Sequence, residues 1–142
     1  MRSSVLHAVG AVNAWVYRLS GGRLLGRFPS GAPVCLLTTT GRRSGQARTV
    51  PLLYLADGED FVVVASQGGA PQNPGWFHNL QAAPRAGLQI GRRRLAVTAR
   101  TVPAAERDLL WPRLVAIYPP YEDYRRRTSR EIPLVRLTPV AG

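Results

Sequence analysis

Val5, Val9, Val12, Val16 and Leu19 recur at spacings of four and three, which predicts an amphipathic helix at about residues 3–20. Gly21 and Gly22 end it. From Val34 the apolar pattern shortens to strands. "VCLLTTT" and "ARTVPLLYLA" are β-rich runs on either side of a Gly-Arg turn, "DGED" from Asp57 is a second turn, and "FVVVAS" is a third strand. "QGGAPQNPGWFHNL" then reads as a Gly/Pro loop feeding a short helix, with Asn73 as N-cap and Pro74 at the first helical position. "AGLQIG" and "RLAVTARTV" form a hairpin around Gly91 and Arg92. A helix is expected from about Pro103 to Tyr118, with Leu110, Leu114 and Ile117 on one face and Pro112 perturbing it. "YPPYEDYRRRTSRE" is expected to be irregular or briefly helical, and "PLVRLTP" to be the last strand.

Short strands joined by hairpins, with helices inserted between them, define an α+β, mainly β chain built as an antiparallel barrel or roll. Alternating βαβ units are absent, so a Rossmann sheet is not expected, and "GRRSG" matches neither a dinucleotide fingerprint nor a Walker A loop. Nothing in the 142 residues marks a repeat, a low-complexity tract or a linker, so residues 1–142 are read as a single domain.

Charge sharpens this picture. All nineteen basic residues are Arg, and the formal net charge of +11 favours anionic partners without ranking nucleic acid, lipid and an acidic cofactor. Cys35 is the only cysteine and sits in the apolar run "VCLL", as a small core residue would. With only His7 and His78 available, no Cys/His spacing forms a metal site. The N-terminal apolar stretch contains His7 and Asn13 and lacks a cleavage site, so it is read as mature, cytoplasmic protein. The expected role of its helix is packing on the domain. Trp15, Tyr17 and flanking Arg leave an interfacial membrane contact as the alternative.

Hydrolytic chemistry finds no support: Ser44 is not in a nucleophile elbow, and the carboxylate pairs Glu59/Asp60 and Glu122/Asp123 are adjacent in sequence. Three Arg clusters remain. Arg92 to Arg94 suit a solvated hairpin tip, and Arg125 to Arg127 leave surface and site readings open. Around the first turn, Arg42, Arg43 and Arg48 stand beside Thr38 to Thr40, Ser44 and Gln46, where guanidinium forks and backbone N–H groups could share one anion. Tyr118, Tyr121 and Tyr124 repeat every three residues, which in a helical turn puts them on one side. Aromatics interleaved with Arg would also suit a single-stranded nucleic acid.

"LLTTTGRRSGQAR", "ASQGGAPQNPGWFHNL" and "WPRLVAIYPPYEDY", in this order, resemble the deazaflavin (F420)-dependent nitroreductase family over nearly the whole chain. The family comprises F420-dependent oxidoreductases of the split β-barrel flavin-binding superfamily, found chiefly in actinobacteria. The resemblance implies a split β-barrel of about six antiparallel strands with peripheral helices. It implies that Arg42, Arg43, Ser44, Arg48, Thr49, Val50, Pro51, Leu52 and Leu53 hold the phosphate and ring of coenzyme F420. Val64, Ala65, Ser66 and Gln67 would lie along the deazaflavin, Gly75, Trp76, Phe77, His78 and Asn79 would close the site, and Tyr121 would touch the cofactor. Tyr118 and Tyr124 would face the substrate and act in catalysis, positioning it or donating a proton. The implied reaction is hydride transfer from the reduced deazaflavin to a quinone, a nitroaromatic or a similar electron-poor acceptor.

Some positions depart from the family pattern. Gln67 stands where many relatives carry Lys, Leu53 replaces an aromatic found in some members, and Arg43 replaces Lys. The competing readings are an FMN-binding split-barrel oxidoreductase, a non-catalytic F420 carrier and, least favoured, a nucleic-acid-binding module. A homodimer is expected only by analogy with split-barrel proteins.

Overall fold

The computed structural model describes residues 33–140. The helix expected at about 3–20 lies outside them. The first hairpin pairs β1 (Val34–Thr40) with β2 (Ala47–Leu53). The chain continues through β3 (Leu55–Asp57), β4 (Asp60–Val64), a 3₁₀ turn (Gln67–Gly69) and helix α1 (Gly75–Ala82). A second hairpin, β5 (Arg85–Ile90) and β6 (Arg93–Thr101), leads to α2 (Ala104–Ile117), α3 (Pro120–Arg127) and β7 (Leu134–Pro139).

The described strands form one seven-stranded antiparallel sheet in the order β2-β1-β5-β6-β7-β4-β3. Laid flat, six interstrand steps would separate its edges by about 29 Å. Yet the edge strands β2 and β3 are joined through Tyr54 alone, and two residues span at most about 7 Å. The sheet must therefore roll up until its edges meet, which makes it a barrel. One face of the strands, carrying Cys35, Leu37, Val63, Val97 and Leu137, forms an apolar cluster filled by Trp76, Phe77 and Leu80 of α1. Alternate residues on the other face, Val34, Val62 and Leu134, pack under Leu110, Trp111 and Leu114 of α2 and Tyr121 of α3.

Two expectations are corrected and two hold. The strands number seven rather than about six, because "ARTVPLLYLA" breaks at Tyr54 to serve both sheet edges. Pro74 precedes α1, which starts at Gly75, and Asn73 makes no cap bond: its side chain accepts from Arg130 instead. Pro112 sits inside α2 and deprives Asp108 of a backbone donor, but burial of Leu110, Trp111 and Leu114 carries the helix through. "YPPYEDYRRR" takes the briefly helical alternative, with Pro120 tolerated in its first turn and three Arg in its last.

Candidate functional site

The Gly-Arg turn after β1 is closed by its own backbone. Gly41 N–H donates to the Gln46 carbonyl at 2.7 Å, Gly45 N–H to the Gly41 carbonyl at 2.8 Å, and Gln46 N–H to Ser44 Oγ at 3.2 Å. Gly45 adopts φ 73°, and a Cβ on Gly41 would lie 2.8 Å from Ser44 Oγ and 3.2 Å from the Gln46 carbonyl. This turn leaves Arg42, Arg43, Ser44 and Arg48 exposed, and none of the three guanidiniums pairs with a carboxylate among the described residues.

Asn79 of α1 fastens this turn to the barrel. Its side-chain oxygen accepts from Arg42 N–H at 3.2 Å and Arg42 Nη1 at 3.0 Å, while its Nδ2 donates to Thr39 Oγ1 at 3.1 Å. Asn79 is buried, so an unfilled amide there would be costly; here both ends of the amide are used. Arg42 Nη1 also reaches the Gly75 carbonyl at 3.4 Å. Beside the turn, the Thr38 and Thr49 hydroxyls share a 2.7 Å hydrogen bond. Next to that pair a groove of about 310 Å³ opens, lined by Leu36, Thr38, Gln89 and Arg94 among others.

The loop after β4 is shaped from behind. Gln67 takes φ 46°, a left-handed conformation unusual for a residue with a side chain, and Gly69 takes φ 81°. A Cβ on Gly69 would meet the Tyr124 backbone at 2.9 Å, so α3 lies directly on the loop. Arg130, which the sequence reading did not single out, points its guanidinium into the same loop. Burial holds its pKa below the ordinary arginine value. Its only sequence signal was a solitary Arg just after an arginine run, and the partners lie 57–64 residues away.

The tyrosines meet as an aromatic cluster. Tyr118 follows α2, while Tyr121 and Tyr124 belong to α3; ring centroids are 4.9 Å apart for Tyr118–Tyr121 and 6.2 Å for Tyr121–Tyr124. The Tyr118 and Tyr124 hydroxyls lie 3.0 Å apart. This bond and partial burial raise the Tyr118 pKa above its usual value, so its phenol stays protonated at neutral pH. Tyr121 is only 4% exposed and belongs to the apolar core; burial raises its pKa too. The helices are fastened by Trp111 Nε1 donating to Glu122 Oε2 at 3.0 Å. Arg125 binds the same carboxylate and stacks over Trp111 at 5.4 Å, while Arg127 lies over Tyr124 at 5.7 Å.

The expected residues of the cofactor site thus fall into three groups. Arg42, Arg43, Ser44, Arg48, Gln67, Gly75 and His78 are exposed. Val64, Ala65, Ser66, Trp76, Phe77, Asn79 and Leu53 are buried, and Thr49, Val50, Pro51 and Leu52 are half-buried. A cationic glycine turn, an apolar barrel wall and a hydrogen-bonded phenol pair suit a ligand that is anionic at one end and flat and apolar at the other. Among the described residues no cluster of His, Cys, Asp and Glu could hold a metal, and no helix is long and apolar enough to cross a membrane.

Fold and site together define a split-barrel oxidoreductase of the flavin and deazaflavin type. Residues 10–139 match the family described as F420H(2)-dependent quinone reductase. An F420H(2)-dependent quinone reductase of Mycobacterium tuberculosis is 42% identical over 128 residues, covering 87% of this chain and 85% of its own. Among solved structures, an F420-H2 dependent reductase (FDR-A) superposes with a TM-score of 0.69 at 40% identity, over 74% of this chain and 93% of that one. A chain solved as a domain-swapped dimer gives 0.71 at 33% identity, over 91% and 96%. The chain belongs to the F420H(2)-dependent quinone reductase family.

Proposed function

We propose that this protein reduces quinone-class acceptors with reduced coenzyme F420, and that the turn Gly41–Gln46 holds the cofactor's anionic end. One observation carries the reading. In a member of this family, Asn79 fixes a glycine turn whose Arg43 and Arg48 have no carboxylate partners among the described residues. Arg42, Arg43, Arg48 and Ser44 supply charge-assisted hydrogen bonds to a phosphate. Residues 49–53, Val64–Gln67, Gly75–Asn79 and Tyr121 shape the seat of the ring and exclude water from it. When bound, the reduced deazaflavin supplies the hydride. Tyr118 and Tyr124 orient the acceptor oxygen and hold the proton it takes up, a role supported by their shared hydrogen bond and the raised Tyr118 pKa.

Nitroaromatic compounds are acceptors by the same electron deficiency. Residues 1–142 act as one domain, and a homodimer is supported by the relative that forms a domain-swapped dimer. The enzyme works in the cytoplasm; the apolar stripe at about residues 3–20 packs on the domain, with contact to a membrane surface as the alternative.

The test is a fluorescence titration of the purified protein with F420, and with FMN in parallel, followed by menadione added to the reduced complex. Saturable F420 binding and menadione-dependent reoxidation are expected. FMN binding without an F420 response points to the flavin alternative, and DNA binding with neither response to a nucleic-acid module. Replacing both Tyr118 and Tyr124 with Phe is expected to lower quinone turnover about 100-fold with cofactor binding retained. Unchanged turnover removes their role.

A further inference from the structure

We infer that Arg130 is a positioning residue that presets the loop Ser66–Asn73 for the deazaflavin; this rests on reading that loop as part of the cofactor's seat. Arg130 lies between α3 and β7, where its own N–H donates to Thr128 Oγ1 at 3.2 Å. Its guanidinium crosses to the loop and makes three bonds: Nη2 to the Ser66 carbonyl at 2.7 Å, Nε to the Ala70 carbonyl at 2.8 Å and Nη1 to Asn73 Oδ1 at 2.7 Å.

Two of these acceptors bracket the 3₁₀ turn Gln67–Gly69. The Ser66 carbonyl also accepts from Gly69 N–H at 2.9 Å, and the Gln67 carbonyl from Ala70 N–H at 3.1 Å. Arg130 therefore grips both ends of the segment in which Gln67 is forced to φ 46°. On the other side, α3 blocks retreat, because the Gly69 Cα leaves no room for a Cβ against Tyr124. The loop is held from behind at three points while Gln67 stays exposed. A planar fork offers these divergent acceptors three separate nitrogens in a fixed geometry, whereas an ammonium offers all its donors from one nitrogen on a flexible stem. All three acceptors are uncharged, and Arg130 pairs with no carboxylate among the described residues. Its positive charge thus lies beside a loop assigned to an anionic cofactor, with no carboxylate partner among the described residues.

Preorganisation of this kind acts on binding before it acts on chemistry. Arg130→Lys keeps the charge and removes the fork. In cofactor-free protein it is expected to speed amide hydrogen exchange at Gly69 and Ala70. By fluorescence titration it is expected to weaken F420 binding at least about tenfold, with kcat at saturating F420 changed less than about threefold. Asn73→Ala deletes one acceptor without altering Arg130, and is expected to shift exchange and affinity in the same direction by a smaller amount. Wild-type exchange and affinity in Arg130→Lys would overturn the inference. If wild-type protein failed to bind F420, the cofactor reading would fall, while the exchange comparison in cofactor-free protein would still decide the role of the clamp.

Discussion

Asn79 and Arg43 show how two residues of one turn divide the work. Asn79 is buried and satisfies both Arg42 and Thr39, so it sets where the turn sits. Arg43 is exposed and bonded to nothing among the described residues, so it is free to meet a ligand. Asn79→Leu keeps the volume and strands a backbone N–H, a guanidinium and a hydroxyl. It is expected to cost about 1–3 kcal/mol of stability and to weaken F420 binding. Arg43→Ala is expected to weaken F420 binding while stability stays within about 0.5 kcal/mol of wild type. Urea unfolding and fluorescence titration of both variants separate the two effects. Cys35 belongs with the structural residues: fully buried on β1, its thiol is pushed up to about 12 by desolvation, which leaves it neutral and unreactive.

Between elements, the decisive contact is that of the 3₁₀ turn with α3, where Gly69 meets the Tyr124 backbone. Gly69→Ala meets both a left-handed φ of 81° and a backbone wall, so α3 must move away. Since Tyr124 rides on that helix, the variant is expected to lose both F420 affinity and quinone turnover, with Tm lowered by several degrees. Loss of stability with both activities intact would mean that α3 and the loop are not coupled. Such couplings set the limit of what sequence could reveal. Hairpins with alternating apolar residues and a Gly-Arg tip are local, so β1, β2, β5 and β6 and their turns were legible. The break at Tyr54 was not, because the run Leu52–Leu55 carries no Gly, Pro or turn signal and only closure of the barrel demands the change of edge. Pro119 and Pro120 left α3 undecided between irregular chain and a brief helix, although a proline in the first turn is compatible with a helix. Among the site residues, the turn arginines were legible from composition, whereas Arg130 was not, since its partners come together only in the folded barrel.

At the scale of the molecule, a chain of net charge +11 places three of its eight carboxylates around one guanidinium. Arg136 of β7 is nearly buried and donates to Glu106 of α2 at 2.8 Å, Asp60 of β4 at 3.0 Å and Asp57 of β3 at 2.8 Å. Arg100 and Arg113 bind the outer oxygens of Glu106 and Asp57. The cluster joins the last strand to the strands at the closing edge and to the helix that covers them, so it guards the closure itself. Burial alone would lower the Arg136 pKa, but the three carboxylates outweigh it and hold the group charged. Hydrogen bonds from Arg113 and Arg136 lower the Asp57 pKa below 3.8, and those from Arg136 and Arg100 lower that of Glu106 below 4.5. Because the folded state binds these protons less readily than the unfolded chain, their contribution is complete above about pH 4.5 and is lost as pH falls through the lowered folded values. Tm is therefore expected to hold steady near neutrality and to fall steeply in acid, where protonation also leaves three clustered guanidiniums repelling one another. Glu106→Gln is expected to lower Tm at neutral pH and to flatten the acid limb, and Arg136→Met to cost about 3 kcal/mol at neutral pH. Thermal unfolding of the three proteins across the acid range checks this. An acid limb of unchanged slope in Glu106→Gln would show that protonation of Glu106 does not contribute to the loss of stability in acid.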